Sequence, residues 1–168
     1  MGDGDSFGHM IELSLVGVRV ELPSNQPIVL LKEVEGERYL PIWIGAVEAT
    51  AIAFALQGIQ TPRPMTHDLL RDILNTTNTA VERIVINDLV EQTFFATIRM
   101  AANGGNSEVS SRPSDAIALA VRINAPIFAS EEVLEQAGIE LKDEEESEVE
   151  KFREFLDQVQ PEDFASDA

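Results

Sequence analysis

Apolar and polar residues alternate with a period of two at the start of the chain. Leu13, Leu15, Val16, Val18 and Val20 interleave with Ser14, Gly17, Arg19 and Glu21, the pattern of half-buried strands. Over residues 11–44 it predicts three strands, separated by the turn Pro23-Ser24-Asn25-Gln26-Pro27 and a tight turn at Glu35-Gly36. Residues 46–57 read as a small-residue helix with Val47, Ala51, Phe54 and Ala55 on one face and Gly58 at its end. After the stiff connector Thr61-Pro62-Arg63-Pro64, a helix over residues 66–75 carries the stripe Leu69, Leu70, Ile73 and Leu74, which predicts a core-facing side. Residues 81–90 and 93–100 are β-rich around a turn at 88–92. The Asn103-Gly104-Gly105-Asn106 turn then leads to a short strand at 108–111. A helix over 114–124 directs Ile117, Ala120 and Val121 inward, residues 126–129 form a buried strand, and Ser130-Glu131-Glu132 opens a helix ending at Gly138. The pattern predicts an α+β class domain, a mixed or antiparallel sheet with packed helices.

Beyond Leu141 the pattern changes. Asp143-Glu144-Glu145-Glu146 is self-repelling and predicts a linker over 140–147. Val149, Phe152, Phe155, Leu156 and Val159 follow at helical spacing, and the chain frays from Pro161. At the other end, Gly8-His9-Met10 reads as an expression scar joined to a natural start. The expected organisation is a scar at 1–9, a domain at 10–139, and an acidic linker and C-terminal helix at 140–168.

Composition narrows this further. At 168 residues and 44% hydrophobic, one well-packed domain is expected. No apolar run suits a membrane span, and the N-terminus lacks the basic and apolar regions of a signal peptide. Cysteine is absent, which removes disulfides and thiolate metal sites and fits a cytoplasmic protein. The net charge of −18 is uneven: residues 131–168 hold −12 of it, and eight of the nine basic residues before them are arginine. Such acidity opposes broad attraction to nucleic acid but leaves room for a local arginine-lined site.

The polar chemistry of the body gathers at two related segments, Arg63-Pro64-Met65-Thr66-His67-Asp68 and Arg112-Pro113-Ser114-Asp115. Each proline holds the preceding arginine extended and starts a helix. Thr66 and Ser114 are the expected N-caps, with Asp68 and Asp115 in the first turn, where the helix dipole favours negative charge.

Three separated motifs, Leu40-Pro41-Ile42-Trp43-Ile44-Gly45, Pro62 to Leu69 and Ser111 to Ala120, resemble the bifunctional nuclease family in content and order. The likeness spans roughly residues 11–138. It implies a compact α+β domain, a homodimer, and activity on both RNA and DNA. The glutamate-rich segment and Phe152-Arg153-Glu154-Phe155-Leu156 look like the extension of actinobacterial members.

Phosphodiester hydrolysis needs an activated water, stabilised phosphoryl oxygens and a protonated or metal-bound leaving oxygen. His67, the only histidine outside the expected scar, is the candidate general acid or base. Asp68 and Asp115 complete the catalytic set, Arg63 and Arg112 are candidate phosphate clamps, and Thr66 and Ser114 mark anion-ready helix entrances. Asp68, Asp115 and Glu48 are candidate oxygen ligands for a divalent cation, Mg or Mn. The same residues also suit ordinary capping, with each arginine bridging a carboxylate to fix its loop. Trp43 suits stacking on a base, but its apolar flanks favour the core or a subunit interface. Asn103-Gly104-Gly105-Asn106 lacks the lysine and helix of a phosphate loop, and there is no nucleophile elbow. The resemblance implies a cytoplasmic nuclease of low sequence specificity, with its site at the two Arg-Pro helix entrances. The alternative is a non-catalytic dimeric module that binds a phosphorylated ligand or a protein partner.

Overall fold

The structure is a computed structural model, and it describes residues 9–21 and 25–141. Two antiparallel meanders form most of it. The first comprises β1 (Met10–Glu21), β2 (Gln26–Glu33) and β3 (Arg38–Trp43). The second comprises β4 (Ala80–Val90), β5 (Thr93–Ala102) and β6 (Gly105–Ser111). Between the meanders in sequence lie α1 (Ala46–Leu56) and α2 (Thr66–Thr76). After them come α3 (Pro113–Ile123), β7 (Ile127–Ser130), α4 (Glu131–Ala137) and β8 (Ile139–Glu140). In space β7 joins the meanders, pairing antiparallel with β1 and parallel with β4. The resulting eight-stranded mixed sheet has the order β6-β5-β4-β7-β1-β2-β3-β8, and the α+β expectation holds.

Local chemistry explains the hairpins. Asn103 and Gly104 both take positive φ between paired Ala102 and Gly105, the twist a two-residue hairpin loop needs. Strand β6 therefore starts at Gly105, three residues before the sequence expectation. The β4–β5 hairpin turns on Glu91 and Gln92, both left-handed without being glycine. At the start of α4, the Ser130 hydroxyl accepts from the Val133 amide at 3.2 Å, as a serine N-cap should.

The core lies between the sheet and α1, α3 and α4. Inward strand positions such as Leu31, Leu40, Ile84 and Ile86 meet Ile52, Ile117 and Leu134 there. Leu30, alternating with its inward neighbours, joins Val16, Tyr39 and Leu141 in a smaller cluster on the opposite side. Glu140, where the linker was expected to begin, pairs with Arg38 of β3. The helix expected at residues 148–159 lies outside the described residues.

Two helix faces differ from expectation. Helix α1 buries Ala49, Ala51, Ile52 and Ala53, while Val47 is exposed. That helix is apolar almost all round, so periodicity offers no stripe to orient it. In α2 most of the expected inward stripe faces solvent: Leu69, Leu70 and Ile73 are exposed, Leu74 is partly buried, and only His67 is fully buried. The cause is layering: α2 packs against α3, outside the helices that cover the sheet.

Candidate active site

Close packing of α1 on α3 brings two helix entrances together, and α2 lies against α3 beside them. The entrances are built one residue earlier or more than expected. Met65 is the N-cap of α2, which puts Thr66 in its first position. Arg112 caps α3, which puts Pro113 first and the buried Ser114 second. Proline needs no amide partner at that first position, so it starts the helix without loss.

Each of the three helices carries a carboxylate at its third position: Glu48, Asp68 and Asp115. Around Arg112 a continuous chain of contacts forms. Its Nε donates to Asp115 Oδ2 at 2.8 Å, and its Nη2 donates to Glu48 Oε2 at 3.1 Å. On the other side of Asp115, Oδ1 lies 3.0 Å from His67 Nε2. Gly45 makes room for this arrangement, since a Cβ there would collide with the Glu48 carboxylate.

The electrostatics assign the protons. Burial raises the Asp115 pKa, but hydrogen bonds from Arg112 and His67 outweigh it and hold the carboxyl below its ordinary range. An ionised carboxylate only accepts, so His67 Nε2 carries the hydrogen in this contact. The bond to Asp115, with further support from Glu48, raises the Arg112 pKa and keeps it charged. Its side chain is 64% exposed, while the His67 residue is only 5% exposed.

Asp68 stands apart from this chain. Its Oδ1 accepts from Arg122 Nε at 2.7 Å, and its Oδ2 accepts from the Met65 amide at 3.0 Å. Burial raises its pKa, but those bonds win and lower it overall. Arg122, buried in the last turn of α3, also donates to the Ala118 carbonyl. A cleft of about 480 Å³ opens beside this group, bounded by the 58–64 connector. Sequence reasoning missed Arg122, although a lone arginine after the apolar run Ala116–Val121 was the available signal. Arg63 is exposed on the connector and forms no ion pair among the described residues. His67, Asp115, Arg112 and Glu48 are thus together, and Asp68 and Arg63 are not with them. Among the described residues no three histidine or acidic side chains converge as a metal set.

A second cleft, of about 340 Å³, opens directly onto Arg112. Trp43 at the end of β3, Ile44 and Gly45 just after it, Gln92 and Phe94 of the β4–β5 hairpin, and Ser114 of α3 line it. Trp43, expected in the core or at a subunit interface, is not in the core: it is 55% exposed at the end of its strand.

The chain matches the bifunctional nuclease domain family over residues 29–142. An uncharacterized protein of Mycobacterium tuberculosis is 49% identical over 164 residues, covering 92% of this chain and 98% of that protein. Bifunctional nuclease 1 of Oryza sativa subsp. indica is 27% identical over 120 residues, 70% of this chain and 36% of the rice protein. Bifunctional nuclease 2 of Arabidopsis thaliana is 27% identical over 128 residues, 73% of this chain and 39% of that protein. The chain therefore spans nearly all of the mycobacterial relative and well under half of each plant one.

Proposed function

Because the chain belongs to the bifunctional nuclease domain family, we propose that it is a nuclease of low sequence specificity, hydrolysing phosphodiester bonds in RNA and DNA. The observation that carries this reading is the unbroken series His67, Asp115, Arg112 and Glu48 across three helix entrances. Arg112 meets a phosphate through the part of its fork not engaged by Asp115 and Glu48, and the first amides of α3 add donors. Asp115 orients the imidazole through Nε2 so that its other nitrogen takes a proton from the attacking water, while the leaving oxygen takes its proton from solvent. In this scheme Asp68 positions α2 through Arg122, and Arg63 and Thr66 contact the substrate strand at the rim. Of the expected cation ligands, Asp68 is bonded to Arg122, and Glu48 and Asp115 are both bonded to Arg112, so in this scheme the guanidinium supplies the positive charge. The protein acts in the cytoplasm as a homodimer, and light scattering measures that assembly.

The test is cleavage of RNA and DNA by wild type beside His67→Gln and Asp115→Asn, with Mg, Mn or chelator present. Glutamine can keep the hydrogen bond to Asp115, so folding is preserved while the base is lost. Each change should lower the rate by roughly 10²–10⁴. Arg112→Lys should also lower it, because a point charge does not replace a fork. Undiminished cleavage by the folded double variant would sink the proposal.

One observation favours a second reading. The burial of His67, 5% exposed, also suits a fixed structural dyad in a non-catalytic module that binds a phosphorylated ligand or a protein partner. Saturable binding of such a ligand without turnover by purified wild type would select that reading.

A further inference from the structure

We infer that the cleft beside Arg112 takes an unpaired nucleobase stacked on Trp43, which makes single strands the preferred substrate over duplexes. The inference rests on the nuclease reading above and specifies its substrate class. Trp43 sits opposite Ile28 in the β2–β3 pairing, at the last position of its strand. Its neighbours Ile42 and Ile44 are buried, yet the indole itself is half in water and borders a concave site. Phe94 adds a second ring to the lining, and Gln26 and Gln92 supply amides that both donate and accept. Such amides fit the edge of any base without selecting one, in keeping with low sequence specificity.

Geometry links this cleft to the chemistry. Arg112 belongs to both, lining the cleft while bonded to Asp115, which holds His67. A nucleotide whose base lies on Trp43 therefore has its phosphate within reach of the charged fork. Within a duplex each base is covered by its stack and its pairing edge is occupied, so a recessed ring accepts only an unstacked base. The hairpin residues Glu91 and Gln92 both adopt left-handed backbone, with φ of 50° and 66°. That backbone is the two-residue turn between paired Val90 and Thr93, and it sets Gln92 at the cleft. The lining joins the Trp43 and Phe94 rings to two amides and one arginine, a combination that suits a nucleotide's flat base, polar base edge and charged phosphate.

The chain has a single tryptophan, so its fluorescence reports directly on this position. The full chain is titrated with a phosphorothioate-linked oligothymidylate that resists cleavage, an abasic backbone of equal length, and a blunt duplex. Oligothymidylate should quench the emission saturably, and the other two should not. Trp43→Ala should weaken oligothymidylate binding about ten-fold, a typical loss for one stacked base, and Trp43→Phe should retain most of it. Trp43 is exposed, so both variants should fold. Equal affinity for the abasic backbone, equal quenching by duplex, or emission that responds only to protein concentration, as at a subunit interface, would each overturn the inference. The two readings fail separately. A Trp43→Ala variant with unchanged kcat/KM on single strands removes the stacking site and leaves the nuclease. Quenching as described, with cleavage undiminished in the His67→Gln/Asp115→Asn protein, removes the proposed active site and leaves the nucleobase site.

Discussion

Arg38 joins three segments of the chain through one guanidinium. It donates to both oxygens of Glu33 in β2, each at 3.0 Å, and to both oxygens of Glu131 in α4, at 2.7 and 3.0 Å. Its own amide also donates to Glu33 at 2.9 Å. Gly36 permits this, since a Cβ there would meet the Glu33 carboxylate. Arg38→Met would leave two partly buried carboxylates facing one another. Discounted for partial exposure, the expected loss is about 2 kcal/mol, measured by urea unfolding. Adding Glu33→Gln should restore part of it, whereas a neutral Arg38→Met would show that the clasp contributes only geometry. None of this was visible beforehand, because Arg38 lies 93 residues from Glu131 and no local pattern couples them. His67 and Asp115 are also 48 residues apart; the repeated Arg-Pro entrances marked both, together with Asp68, as one set, but said nothing of which side chains bond.

At the level of elements, α2 is the informative case. Its apolar positions recur at helical spacing, and the helix forms where expected, but most of the stripe turns outward. Periodicity identifies a helix and an apolar side; which neighbour covers that side depends on the layer the helix occupies. Because those side chains already meet water, Leu70→Gln and Ile73→Gln should each change stability by no more than about 0.5 kcal/mol. Ile117→Ala, at a fully buried position of α3, should cost about 2–5 kcal/mol. Thermal melts of the three variants compare them directly. A large loss at Leu70 or Ile73 would mean that the outward face is covered in solution.

At the scale of the molecule, acid stability follows from its ion pairs. Hydrogen bonds from Arg38 lower the pKa values of Glu33 and Glu131. For Asp68 and Asp115 burial acts in the opposite sense, but their partners prevail and the values are again lowered. A carboxyl whose pKa is lower folded than unfolded contributes stability that is fully present above the unfolded value. That contribution is lost as pH falls through the folded value. Tm should therefore be level near neutrality and begin to fall once pH drops below about 5, continuing through the ordinary carboxylate range near 4 and beneath it. Each kcal/mol lost corresponds to roughly 2–4 °C at this size. A Tm unchanged down to about pH 3 would contradict these shifts. No helix among the described residues is long and apolar enough to cross a membrane.

The sequence by itself determined the kinds of element, most boundaries to within a few residues, and the family resemblance. It also singled out Glu48, His67, Arg112 and Asp115, though together with Arg63, Thr66, Asp68 and Ser114 and without separating the two groups. Those features are local, since alternation, helical spacing, proline at a helix entrance and asparagine-glycine turns act on the backbone within a few residues. Only the tertiary structure decided that Asp68 pairs with Arg122 rather than joining Asp115, that α2 turns Leu69, Leu70 and Ile73 outward, and that Trp43 opens onto a cleft. A side chain's partner is set by which helices pack together and how the two meanders meet across β7. Those distances span dozens of residues and leave no periodic trace in the chain.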